Sequence, residues 1–299
     1  MRVVAVVQAR LGASRFPSKI LARIGGQTMR THVLARAKAI PGVDEVVITT
    51  TTRPMDNALM RLSRGAGVRT TRGQVPLAGD PKRNDVLAGY VVAAETSRAD
   101  VVVRLTSDCP LLDPAVAGEV LAAFLAQPRT AYASNVHPAT FYDGCDVEVF
   151  SAAALGQAAV DAGPDEREHV TTHLWRRPEI YPRVNIAVPG GADYSALKLS
   201  VDTADDLKRV RRVWEALPRA IRREGAPLTW QAVVAAYRAT HPTRAEVRAV
   251  RLYGKGSGTT SHRAAYLAGV SAGVRADGET RNPYSTADAP ALAAAWSFG

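Results

Sequence analysis

An apolar run, Val3–Val7, leads directly into Gln8-Ala9-Arg10-Leu11-Gly12-Ala13-Ser14-Arg15-Phe16-Pro17-Ser18-Lys19. Arg10, Arg15 and Lys19 bring three cations into one short stretch, with Gly12 and Ser14 among them. Arginine grips phosphate oxygens through a planar fork of donors, and lysine adds a compact charge. Glycine lets the backbone approach a ligand closely and tolerates positive φ. At the carboxyl end of a first strand, where open α/β sheets bind their ligands, such a loop suits a polyphosphate. It is neither a dinucleotide fingerprint nor a P-loop, because no Gly-Lys-Ser/Thr closes it. The same residues would also serve a basic surface loop.

Carboxylates recur at strand ends further along. Asp108 projects from the carboxyl end of the valine-rich run Asp100–Arg104, on the same edge as the basic loop. There it could hold Mg²⁺, which takes oxygen ligands and substrate phosphates, or simply turn the chain. In Asp146-Val147-Glu148-Val149-Phe150, alternation puts Asp146 and Glu148 on one strand face, suited to polar recognition or a second cation. Asp165-Glu166-Arg167-Glu168-His169 opens a helix and reads almost equally well as a solvated face. Asp202-Thr203 joins a short strand to a helix, where both residue types make good caps. Asn84 offers a donor and an acceptor to a pyrimidine edge.

Gly12-x-Ser14-Arg15-x-Pro17-x-Lys19 after the first strand resembles the signature of the sugar nucleotidyltransferases. The wording Val6-Val7-Gln8-Ala9-Arg10-Leu11-Gly12-Ala13-Ser14-Arg15 is most similar to the cytidylyltransferases of the spore coat polysaccharide biosynthesis protein F type, relatives of the acylneuraminate and 3-deoxy-octulosonate cytidylyltransferases. Ser107-Asp108-Cys109-Pro110-Leu111 resembles that family's Gly-Asp-Cys-Pro-Leu, with serine where glycine is usual. Val201-Asp202-Thr203-Ala204-Asp205-Asp206 resembles its Asp-Thr-Pro-Glu-Asp, and Cys145 stands where leucine is common.

The resemblance spans residues 2 to about 216 and implies an Mg²⁺-dependent transfer of CMP from CTP to a sugar or sugar-acid acceptor, releasing pyrophosphate. It implies Asp108 and Asp202 as metal carboxylates, with Arg15 and Lys19 on the β- and γ-phosphates. Gln8, Ala9, Arg10, Gly12 and Ser14 would then meet the nucleotide, Asn84 and Asp85 would lie beside the base, and Asp146, Glu148, Arg167 and His169 would form the acceptor pocket. A dimer is expected on the same ground. A glycosyltransferase of the nucleotide-diphosphosugar fold is the enzyme alternative; it would normally carry Asp-x-Asp, which Ser107-Asp108-Cys109 does not provide.

These residues must be positioned by the elements between them. Valine-rich runs at Val3–Val7, Glu45–Thr49 and Asp100–Arg104 alternate with helical patterns at Thr28–Ala39, Asp56–Gly65 and Arg83–Thr96. Such alternation predicts a parallel sheet with helical crossovers. Together with the resemblance, this implies a three-layer α/β, Rossmann-like nucleotidyltransferase fold with a mostly parallel mixed sheet. Further strands are predicted at Tyr132–Asn135, Asp146–Phe150, Arg183–Val188 and Leu197–Val201. The remaining helices are predicted from Pro114 to about Gln127 and over Ser151–Asp161, Asp165–Arg176, Ala204–Leu217 and Thr229–Ala239. The segment Gly73–Arg83 reads as a loop.

The chain has 299 residues and a formal net charge of +10, with arginines scattered over many segments rather than gathered in one patch. No run reaches the roughly 18 apolar residues of a membrane span, and two cysteines imply no disulfide framework, so a cytoplasmic protein with reduced thiols is expected. Composition divides the chain into a domain over 1–245, a Gly/Ser-rich linker over 246–262 and an Ala-rich tail over 263–299. Tyr266, Gly269, Gly273, Asn282-Pro283-Tyr284 and Trp296 in that tail loosely resemble the ribosome modulation factor, which would imply RNA contact there and nowhere else.

Overall fold

The computed structural model describes residues 1–77, 80–223 and 225–241. Val3–Gln8 forms β1, whose valines are buried on both sides, as a central parallel strand requires. A short hairpin, β2 (Arg23–Ile24) and β3 (Gln27–Thr28), precedes α1 (Met29–Lys38). Then come β4 (Glu45–Thr51), α2 (Asn57–Gly65), β5 (Arg69–Leu77), β6 (Asp80–Asp85), α3 (Val86–Ser97), β7 (Val101–Thr106) and α4 (Pro114–Leu125). The second half supplies β8 (Tyr132–Ser134), β9 (Glu148–Ser151), α5 (Ala152–Asp161), α6 (Pro164–Arg167), α7 (Thr172–Trp175), β10 (Arg183–Asn185), α8 (Ala204–Ala216) and α9 (Trp230–Thr240).

Eight strands make one sheet in the order β10-β8-β9-β7-β1-β4-β5-β6. The core pairs β7-β1, β1-β4 and β4-β5 are parallel, while β9 runs antiparallel to both β7 and β8, and β6 antiparallel to β5. Val4, Val6, Val47 and Val102 enter a cluster with Leu87 and Tyr90 of α3 and Leu155 of α5. The alternate residues Val3, Ala5, Val7, Ile48 and Val103 are buried on the opposite face. Both faces are therefore covered, as the three-layer expectation requires. Tyr90 hydroxyl donates to Val6 O at 3.3 Å and Leu105 O at 3.2 Å, fastening α3 beneath the two central strands.

The chain divides into two units. One holds Met1–Arg211 and Arg223–Trp230; the other holds Arg212–Arg222 and the chain from Gln231. Val213, Trp214, Leu217, Val233 and Val234 are buried apolar residues of the second. The expected linker and tail, 246–262 and 263–299, lie outside the described residues. Among the described residues no helix is long and apolar enough to cross a membrane.

Local structure differs from the sequence patterns in four places. The expected loop 73–83 is a hairpin of β5 and β6, so α3 starts at Val86 rather than Arg83. The helix expected over 165–176 breaks at Val170, whose φ is 55°, into α6 and α7. Residues 197–201 make no ladder, only a parallel bridge from Lys198 to Asp143. Finally, β9 begins at Glu148, because the Asn135 side chain accepts from Val147 N at 2.9 Å and takes the place of a strand partner. Asp146 thus precedes the strand and does not share a strand face with Glu148.

Candidate active site

Sheet order reverses between β1 and β7, where Gln8 lies in register with Thr106. Connections diverge beyond such a point and leave a crevice. Here it is a cavity of about 180 Å³ lined by Gln8, Ala9, Arg10, Ser14, Arg15, Lys19, Asp108 and Asp202, together with Ala13, Thr106 and Ser107. Two distant segments and the first loop thus meet in one place.

The basic loop is pinned from below. Leu11 N donates to Asp56 Oδ1 at 2.7 Å, and Thr51 hydroxyl donates to the other oxygen of this buried carboxylate. Ser18 N donates to Leu11 O at 2.8 Å and closes the loop, with Ser18 itself left-handed at φ 55°. Gly12 stays out of the left-handed region, so the positive φ that its type permits is taken by a serine instead. A single helical turn, Lys19–Leu21, follows; its buried Ile20 anchors the backbone that carries Lys19.

Lys19 Nζ stands 3.0 Å from Asp108 Oδ2 and 3.1 Å from Asp202 Oδ1, and donates to Val201 O at 2.7 Å. Val201 N in turn donates to Asp108 O at 2.9 Å, which fastens the 197–202 segment beside the end of β7. Asp202 Oδ2 faces Lys198 Nζ at 3.0 Å and Arg15 at 3.4 Å. Burial alone would raise the Asp202 pKa, but hydrogen bonds from Lys198 and Lys19 hold it below the usual carboxylate value. The α8 cap belongs to Thr203 rather than Asp202: Asp206 N donates to Thr203 Oγ1, and Asp206 Oδ2 accepts from Thr203 N at 2.9 Å. This is the reciprocal arrangement of a capping box.

The other expected site residues do not line this cavity. Asn84 is buried, and among the described residues neither polar atom of its amide has a partner. Asp85 accepts from Ala88 N at 2.9 Å as the cap of α3 and pairs with Arg167 Nε at 2.6 Å. Glu148 is buried beside Arg104 and accepts from Tyr132 hydroxyl at 2.6 Å and Thr171 hydroxyl at 2.5 Å. His169 is exposed. Asp146 is half-buried; desolvation, then the charges of Asp143, Glu148 and Asp108, push its pKa up to about 7. Both cysteines are free and buried, and burial pushes both thiols up.

Lys198 was not singled out by its motif. A signal was present: in Lys-Leu-Ser-Val-Asp, positions 198, 200 and 202 share one side of an extended chain.

A mixed α/β sheet with a basic loop and two carboxylates at its switch point defines a nucleotidyltransferase class of enzyme. Residues 4–216 match the cytidylyltransferase family, and the chain belongs to it. It is 36% identical over 135 residues to 3-deoxy-manno-octulosonate cytidylyltransferase of Maricaulis maris; the match covers 45% of this chain and spans only 49% of that enzyme. It is 24% identical to spore coat polysaccharide biosynthesis protein SpsF of Bacillus subtilis, over 70% of this chain and 85% of that protein. The solved structure of a cytidylyltransferase from Leptospira borgpetersenii aligns with a TM-score of 0.71 at 26% identity, covering 80% of this chain and 94% of that one. The family and fold expected from the sequence therefore hold.

Proposed function

We propose that the protein transfers CMP from CTP to a hydroxyl of a sugar or sugar-acid acceptor, with Mg²⁺ held by Asp108 and Asp202. The observation that carries this reading is the convergence of both carboxylates on Lys19 at the mouth of the basic loop.

The donor set fits a hard cation. Carboxylate oxygens suit Mg²⁺, and the neighbouring Cys109 thiol is kept protonated by burial, so it offers no soft thiolate. The pair already gathers positive charge, since Lys19 bridges it. Among the described residues no three His, Cys, Asp or Glu side chains gather as a metal site. The remaining ligands would be phosphate oxygens and water, as is usual for Mg²⁺. When bound, the ion supplies charge neutralisation at the α-phosphate and lowers the pKa of the acceptor hydroxyl.

The chain's own residues bind and orient. Arg15 and Lys19 hold the β- and γ-phosphates and stabilise pyrophosphate as it leaves. Arg10, Gly12 and Ser14 shape the loop around the chain of phosphates, with Gln8 and Ala9 at its base. The acceptor hydroxyl gives up its proton to solvent and its oxygen forms a bond to the α-phosphorus, as the bond from that phosphorus to the bridging oxygen breaks and pyrophosphate leaves with the electron pair. Positioning and charge stabilisation carry such a step, since little covalent chemistry is asked of the protein. Asn84 and Asp85 are assigned to the base side. Asp146 and His169 are assigned to the acceptor side, where Glu148 and Arg167 serve as framework through their ion pairs. The reading assigns the enzyme to the cytoplasm as a homodimer.

Thermal stability with CTP, UTP, GTP, ATP and dTTP, each with and without Mg²⁺, tests the donor. A ligand at 100 times its dissociation constant adds about 2.7 kcal/mol, which is readily detected. A Mg²⁺-dependent shift with CTP alone, followed by pyrophosphate release across a panel of octulosonates, nonulosonates and other sugars, is expected. No shift with any nucleotide would sink the reading.

A further inference from the structure

Besides the cations of the basic loop, the site has one that comes from the 197–202 segment. The backbone of Asp143 fastens that segment: its N–H donates to Leu197 O at 3.0 Å, and its carbonyl accepts from Leu199 N at 2.7 Å. Lys198 leaves this anchor toward Asp202. Its ammonium stands 3.0 Å from Asp202 Oδ2, donates to Ser200 Oγ at 2.8 Å and lies 3.3 Å from Asp143 Oδ2.

The two oxygens of Asp202 are thereby divided. Oδ1 faces Lys19, the same nitrogen that meets Asp108, and Oδ2 faces Lys198. The torsion that turns a carboxylate about its last bond is broad and two-fold, so the side chain does not fix this orientation by itself. Arg15 also reaches Oδ2, at 3.4 Å, but its side chain is 67% exposed against 39% for Lys198, and only Lys198 is tied back by a hydroxyl and a second carboxylate.

We infer that Lys198 is a positioning residue: it fixes Oδ2 of Asp202, so that Oδ1 stays turned toward Asp108 when Lys19 leaves the pair for substrate phosphates. This role rests on the metal-dependent transfer proposed above. Partners behind a ligating carboxylate orient it, and their loss commonly costs 10–100-fold in metal affinity or activity, on the order of what is expected here. With Lys198 removed, Oδ2 is left to Arg15 alone and the carboxylate turns away from Asp108.

Mn²⁺ binding to the full-length chain, followed by electron paramagnetic resonance with CTP present, tests the role without requiring turnover. The wild-type chain is expected to bind Mn²⁺. Lys198→Gln should weaken that binding about 10-fold. Lys198→Arg should restore most of it, because charge and donor are kept. Metal-free CTP binding and the melting temperature should not move, since Lys198 is part-exposed and off the phosphate loop. Unchanged or tighter Mn²⁺ binding in Lys198→Gln overturns the role, as does an equal loss in Lys198→Arg. A wild-type chain that binds no Mn²⁺ beside CTP removes the metal reading and this role together, which separates the two failures.

Discussion

Asp108 and Asp202 meet on a single nitrogen: Lys19 Nζ is 3.0 Å from one carboxylate and 3.1 Å from the other. Lys19 is 183 positions from Asp202 in sequence, and its side chain is only 12% exposed. Two anions this close would repel without a cation between them. The lysine keeps the pair together while leaving each oxygen a short move from a different partner.

Replacing Asp108 with Asn should remove turnover by more than about 100-fold, beyond what loss of an outer partner typically costs. The fold should persist, since the side chain is partly exposed at the rim of the cavity. Initial rates and circular dichroism melts check both halves. Near-wild-type rates would remove the metal assignment.

Lys19→Ala should lower kcat by about 10²–10³, the scale of losing one preorganised charge at a developing anion. It should also tighten Mn²⁺ binding in the absence of nucleotide, because both carboxylates lose their shared partner. A defect confined to the acceptor KM would contradict the leaving-group role.

Glu148→Ala should cost about 3–5 kcal/mol of stability, the usual result of stranding one member of a buried ion pair. Burial would raise the pKa of Glu148, but Arg104, then Thr171 and Tyr132, outweigh it and keep the group ionised. Adding Arg104→Met should recover part of the loss, since no charge is then left unpaired. Urea midpoints of the single and double variants decide the matter; equal midpoints for wild type and Glu148→Ala would show the network to be idle.

Asp146 makes stability fall as pH rises. Its folded pKa of about 7 lies above the ordinary value of 3.8, so folding favours the protonated form. The contribution is fully present below the unfolded value and is lost as pH climbs through the folded one. Asp146→Asn should therefore leave stability unchanged near pH 4 and raise it near pH 8, by a few kcal/mol on the order-of-magnitude scale that links such a pKa difference to free energy. Denaturant unfolding at the two pH values measures this, and a pH-independent difference would refute it.

The parallel core was legible because Val3–Val7, Glu45–Thr49 and Asp100–Arg104 are apolar runs of strand length, and the basic loop was legible because its residue types are unusual together. The β5–β6 pairing was not, since Val75-Pro76-Leu77 meets Asp80–Asp85, a polar run without apolar alternation that pairs through its backbone. The packing of α3 on β5 rests on two glycines: a Cβ on Gly73 would lie 2.9 Å from the Gly89 Cα, and one on Gly89 would run into Gln74 Cγ. Asp202 was legible as a residue type but not as a neighbour of Asp108, because the Asp143 and Val201 hydrogen bonds that hold this segment leave no mark in residue spacing. Lys198 shares one side of the stretch with Asp202, but that alternation alone does not say which partner the lysine meets.

The hydrogen bond from Val201 N to Asp108 O also bears on how the enzyme comes into being on the ribosome. Chains emerge amino end first, and the basic loop and Asp108 leave the exit tunnel long before Lys198 and Asp202. A nascent chain short of that segment has the basic loop and one carboxylate, but not the residues that close the site in the folded chain. On the proposed reading, capture of polyphosphate precedes transfer during synthesis, and transfer begins only when this late stretch is stitched to the end of β7.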